Sequence, residues 1–244
     1  WRRMSFGVAV FALMAVWSLM TPLFSGPDEP SNFVRSAAVV RGEWVGDNVL
    51  PAPLKSYWTT TVNIDPQFGA ANNIPWCFAP FSDRPGCGSR LEDTQVTDIP
   101  AWTNMGRYPI ASFFISGIGT VFGAQDLSVR AARLMMSLAC ALLIALSLTA
   151  MKRRATSSIG LLLAMLPGPV FLASTMNPSA LEIFAAIALW AIMPSIVTSD
   201  PTRFNAIMFG LAGALLILTR AIGPVLYVLV IALSYVATKQ RRPL

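Results

Sequence analysis

Asp28 and Glu29 stand side by side between Pro27 and Pro30, where a long uncharged run of residues has just ended. Prolines restrict the backbone on both sides, so the two carboxylates are held in place. The chain has no histidine. That removes the commonest general base and the commonest metal ligand, and acid–base work falls to Asp, Glu, Lys or Tyr. Two readings of the pair are open. In one, Glu29 caps a following helix and Pro30 takes its first position, which asks for one carboxylate and not two. In the other, the acids carry chemistry.

Arg130 and Arg133 lie about one helical turn apart at the start of an apolar run. Cations there oppose the helix macrodipole, and arginine on the outer side runs against the positive-inside trend. An anionic partner removes both objections, because a guanidinium makes paired hydrogen bonds to phosphate. Snorkelling to lipid headgroups is the alternative. Arg220, between two apolar runs and ahead of Gly223-Pro224, faces the same choice between a headgroup and a substrate. Glu182 lies about one turn into another apolar run that Asn177 caps and Pro178 starts. Ionisable groups at membrane depth are usually functional, although at so shallow a depth an interfacial carboxylate also fits. Pro167, Pro169 and Pro194 are expected to kink their helices. Cys77 and Cys87 flank FAPFSDRPG, and on an oxidising side of the membrane this spacing points to a disulfide, worth about 3 kcal/mol in the chain-entropy account. Cys140, inside an apolar run, reads as packing.

The elements that must position these groups follow from composition. Hydrophobic residues make up 55% of the 244 and charged residues 12%, against about 25% charged in a soluble domain. Lipid must therefore be part of the solvent. The net charge of +6 does not signal a nucleic-acid partner, because the basic residues cluster beside apolar runs as membrane anchors do. The fold class is an all-α integral membrane protein. Residues 1–24 form a first transmembrane helix. Residues 25–126 form a large outer loop with interfacial helices, and 127–244 a five-helix transmembrane bundle. Six spans are expected, at roughly 5–24, 127–151, 156–175, 178–198, 204–219 and 221–238, each near the ~20 apolar residues a crossing needs.

Residues 108–125 are marginal for crossing. If they do not span, Arg2, Arg3, Lys152, Arg153, Arg154, Arg203, Lys239, Arg241 and Arg242 all face the cytoplasm, which the positive-inside rule favours. The stretch is then a re-entrant or interfacial helix on the outer side, and both termini are cytoplasmic. Phe33, Ala37, Val40 and Trp44 recur at helical spacing with Arg35 opposite, the pattern of a helix lying in the interface.

GPDEPSNFVRSAAVVRGEW resembles the start of a family of bacterial predicted membrane proteins of unknown function, usually grouped with the C-type (GT-C) membrane glycosyltransferases. Pro27, Asp28, Glu29, Pro30, Phe33 and Arg35 match its pattern, and Asn32 stands where histidine is usual. Tyr108-Pro109 before a membrane-surface helix, and Arg133 with Arg153-Arg154 around the next one, are similar to the wider class. Members are typically longer, so the resemblance implies a GT-C-like N-terminal module.

It also implies a multi-pass protein of the bacterial cytoplasmic (inner) membrane. Such a protein transfers a sugar from a polyprenyl-phosphate carrier at the outer leaflet to an acceptor hydroxyl on a glycan or lipid. Asp28 would be the general base, or would hold a divalent metal ion as cofactor. Glu29 would orient the acceptor. Arg130, Arg133, Arg220 and Arg35 would hold the carrier phosphate, with Asn177, Glu182 and Tyr108 near the substrate. The alternatives are a non-catalytic module that binds lipid-linked saccharide or scaffolds partner membrane subunits, and a transporter. No inverted repeat and no mid-membrane charge supports the last.

Overall fold

The computed structural model describes residues 2–48, 59–81, 83, 84, 86, 88–96, 99–151, 160, 161, 163–198 and 201–239. The described chain is mostly helical. α1 is Arg2–Met20 and α2 Glu29–Val40. After α2, β1 (Thr60–Thr61) pairs antiparallel with β2 (Trp102–Thr103), and Pro66–Cys77 is a 3-10 helix. α3 is Ala111–Gly117, continued by a 3-10 turn, Ile118–Phe122. α4 is Asp126–Ala150, α5 Pro167–Ala173, α6 Pro178–Thr198, α7 Arg203–Thr219 and α8 Gly223–Lys239.

Two cores result. In the bundle, α6 packs against α4, α7 and α8, and α1 lies along α4. Met14, Met136, Ile144, Phe184, Leu189 and Leu216 are buried together there. Phe24, Phe33, Phe68, Val129 and Met176 form a second cluster that joins the segment between α2 and α3 to the bundle. Large apolar side chains such as Val8, Leu13, Ile207, Leu218, Val228 and Leu233 point outward, as helices in lipid require.

Several expectations are corrected. α1 stops at Met20 and not at Phe24, because Pro22 disfavours helix at the residue before it and Phe24 turns left-handed, with φ 59°. α4 and α6 are long and apolar enough to cross a membrane, whereas Ser5–Met20, Arg203–Thr219 and Gly223–Ala237 are shorter apolar helices. The expected span 156–175 is broken: helix at 163–164 gives way at Met165-Leu166 and restarts at Pro167. Leu166 is extended, with ψ 160°, the conformation that a following proline imposes. α6, by contrast, runs through Pro194 without a break. α2 does not lie half in water. Phe33, Val34, Arg35, Ser36, Ala37 and Ala38 are all buried, and of the expected stripe only Trp44, beyond the helix end, is exposed. The expected Cys77–Cys87 pairing lies outside the described residues, because Cys87 does; Cys140 is a buried free thiol.

Candidate functional site

The turn between α1 and α2 is gripped by one side chain. Arg133, about two turns into α4, has all five of its N–H donors met. Nε donates to Glu29 Oε1 at 2.7 Å and Nη2 to Glu29 Oε2 at 2.6 Å. Nη1 donates to the carbonyls of Ser18 and Thr21, and Nη2 to that of Pro22. Both partners of the ion pair are fully buried. Glu29 Oε2 also accepts from Gly26 N–H and Oε1 from Met176 N–H. The anion that a cation near a helix N-terminus requires is thus Glu29, aided by carbonyls at the C-terminal end of α1. No donor of Arg133 is left for a phosphate, and Glu29 is closed off from any acceptor.

The clamp fixes Asp28. This residue has φ 56° and ψ 15°, left-handed for a non-glycine, and its side chain makes no capping hydrogen bond. Asparagine and aspartate tolerate that region better than other residues, and strain of this kind concentrates at functional sites. Asp28 is exposed. The two adjacent carboxylates therefore part company: one is locked in protein, the other stands free beside it.

Arg35 is likewise used within the protein. Nη1 donates to Glu43 O, and Nη2 to the carbonyls of Trp44 and Tyr108, tying the end of α2 to the start of α3. Burial pulls its pKa down to about 10. Arg130 is half-buried, with one hydrogen bond from Nη1 to Leu19 O at 3.3 Å. Arg220 differs. Its Nε lies 3.7 Å from Glu182 Oε2 in a loose ion pair and has no hydrogen-bond partner. The guanidinium stands 5.9 Å from the centre of the Tyr108 ring, within cation–π range.

Several expected site residues are thereby linked in a circuit. Asn177 Nδ2 donates to Pro27 O at 3.4 Å, while its Oδ1 accepts from Ser179 N–H and caps α6. Glu182 follows five residues along α6, roughly 7.5 Å of helix, and meets Arg220. Arg220 meets Tyr108, whose carbonyl meets Arg35 on α2. One residue short of a turn before Arg35 is Asn32, whose N–H donates to Asp28 O at 2.9 Å.

Two features had no clear signal in sequence. Asn32 is fully buried, with neither amide atom hydrogen-bonded, and Ser112 Oγ is in the same state. Ser36–Ser116 and Arg41–Thr120 hydrogen bonds set α2 and α3 in parallel register, so Asn32 and Ser112 each lie one turn before a matched pair. The second feature is a reciprocal clamp at the start of α4. Asp126 Oδ1 accepts from Leu91 N–H, and Asp126 N–H donates to Glu92 Oε2.

Asp28 is a single carboxylate, and no group of three His, Cys, Asp or Glu side chains occurs among the described residues. That donor set does not fit a divalent ion, which wants several oxygen ligands. A cavity of about 540 Å³ opens elsewhere, in the segment between α2 and α3, between Asp47, Val62, Ile64, Pro66, Val96 and Pro100. None of its lining residues carries the chemistry considered above.

A family model described as Predicted membrane protein (DUF2142) matches residues 11–243. No curated protein and no solved structure matches the chain.

Proposed function

The chain belongs to that family of predicted membrane proteins, and from this premise we propose that it is a membrane glycosyltransferase-like protein working at the outer face of a bacterial inner membrane. Its donor is a sugar on a polyprenyl-phosphate carrier. The observation that carries the reading is an exposed, strained Asp28, whose turn is tied through Asn177 to α6, where Glu182 holds Arg220 in a loose ion pair.

In this reaction an acceptor hydroxyl attacks the anomeric carbon, the bond from that carbon to the phosphate oxygen breaks, and Asp28 takes the hydroxyl proton. A carboxylate suffices when the transition state already loosens that proton. The carrier phosphate leaves with its charge facing Arg220, with Arg130 in support, and fixed cations in a low-dielectric site stabilise such developing charge strongly. Glu29 and Arg133 act from behind, by holding the backbone of Asp28. No step runs through a metal ion. Placement in the membrane follows the charge pattern: residues 25–126 outside, both termini inside. α1, α4, α6, α7, α8 and the broken helix ending in α5 then cross. α3 with its 3-10 continuation is roughly 20 Å long, against about 30 Å of hydrocarbon, and lies on the outer side.

The test is transfer from a glycosylated polyprenyl phosphate by the purified chain and by Asp28→Asn. Turnover should fall by about two to four orders of magnitude while carrier binding is kept. Equal turnover in the variant would remove Asp28 from the reaction. Carrier binding that survives Arg220→Ala with Arg130→Ala would remove the phosphate site.

A further inference from the structure

Arg35 is 1% exposed, yet among the described residues no carboxylate pairs with it. Its Nη atoms donate to the carbonyls of Glu43, Trp44 and Tyr108, and its Nε has no hydrogen-bond partner. A buried cation is costly unless a counter-charge compensates it. Two more unpartnered groups lie in the same place. Asn32 precedes Arg35 by three residues on α2, so their side chains are neighbours on the helix surface, and a long side chain leans back over the turn before it. Ser112 stands one turn along α3 from Tyr108, whose carbonyl Arg35 holds. Phe113, next to Ser112, has its ring centre 5.8 Å from the guanidinium. Both Asn32 and Ser112 are buried, and neither the amide nor the hydroxyl has a hydrogen-bond partner.

The three groups hold more donors than acceptors. Arg35 Nε–H, both Asn32 Nδ2 hydrogens and the Ser112 hydroxyl stand against Asn32 Oδ1 and the serine oxygen, and the surplus donors lie beside a positive charge. We infer that Asn32, Arg35 and Ser112 form a binding site for a small monovalent anion such as chloride, enclosed between α2 and α3. A water molecule would bring as many donors as acceptors, and would leave both the surplus and the charge. An anion brings acceptors only, with one charge to match the guanidinium, and charge-assisted hydrogen bonds are the stronger kind. The ion ties α3 to α2 and takes no part in group transfer, so the inference stands apart from the proposed reaction.

The test is thermal unfolding of the purified full chain in sodium chloride and in sodium gluconate at equal ionic strength, gluconate being too large for an enclosed site. The midpoint should rise saturably with chloride and not with gluconate. Ser112→Ala and Asn32→Leu each remove donors, and should need about tenfold more chloride for the same rise. Arg84→Gln, at an exposed arginine, should respond as the wild type does. Crystals grown in bromide should carry an anomalous peak within hydrogen-bond reach of Arg35 Nε. If either variant fails to fold, the wild-type response and the bromide peak still decide the matter. Chloride and gluconate acting alike, a chloride response that Ser112→Ala and Asn32→Leu leave unchanged, or a water where the peak is expected each overturns the inference.

Discussion

Asp28 occupies a left-handed backbone that only glycine adopts freely, with φ 56°. Asp28→Gly should therefore raise stability by about 1 kcal/mol while abolishing transfer, and Asp28→Asn should leave stability nearly unchanged. Denaturation midpoints of the two variants, set beside their turnover, separate strain from charge. A stabilised Asp28→Gly that still turned over would remove the Asp28 carboxylate from the reaction. The neighbouring Pro-Asp-Glu-Pro turn marked this place in the sequence, but the division of labour was not legible. Which of two adjacent carboxylates is buried depends on Arg133, 104 residues away from Glu29. The same is true of the arginines. Arg133, Arg35, Arg130 and Arg220 read alike as cations near the outer face. Only the acceptors packed around each one decide whether its donors are used or free.

Among the elements, a fully buried ion pair joins the α1–α2 turn to α4. Replacing one partner of a buried pair leaves an uncompensated group, so Arg133→Met should cost about 3–5 kcal/mol, and Glu29→Gln with Arg133→Met should recover part of the loss. Unfolding of both variants in denaturant measures this. Gly119→Ala should separate the 3-10 turn from α4, because a Cβ there would stand 2.2 Å from Ala132 N; looser packing would be read as faster proteolysis between α3 and α4. The clamp at the start of α4 is pH-sensitive. Hydrogen bonds from its own backbone N–H and from that of Asp126 hold the Glu92 carboxyl below its ordinary value. A depressed carboxylate contributes stability that is full above the ordinary value and lost as pH falls through the lowered one. Thermal midpoints below about pH 4 should therefore fall less steeply for Glu92→Gln than for the wild type. Helix positions in the bundle were legible, since apolar run lengths and basic clusters set them. The break at Leu166 lay in Pro167 and Pro169, which were read as kinks. The burial of α2 was hidden, because a stripe at Phe33, Ala37 and Val40 looks the same whether the far side meets water or α3.

For the whole molecule, the proposed topology makes a direct demand. A membrane-impermeant thiol reagent applied to intact cells should label Val96→Cys, in the outer segment, and spare Thr202→Cys until the membrane is opened. The reverse pattern would invert the protein and place Asp28 inside. The ion pair also sets an order of events in synthesis. Glu29 emerges from the ribosome 104 residues before Arg133, which at typical elongation rates is a delay of roughly 5–20 s. Throughout that interval the first hairpin has neither its counter-ion nor the donor that binds the carbonyls of Ser18, Thr21 and Pro22. The turn cannot be locked until α4 arrives. A nascent chain stalled before Arg133 should therefore expose this turn to proteases, and one stalled well beyond it should not.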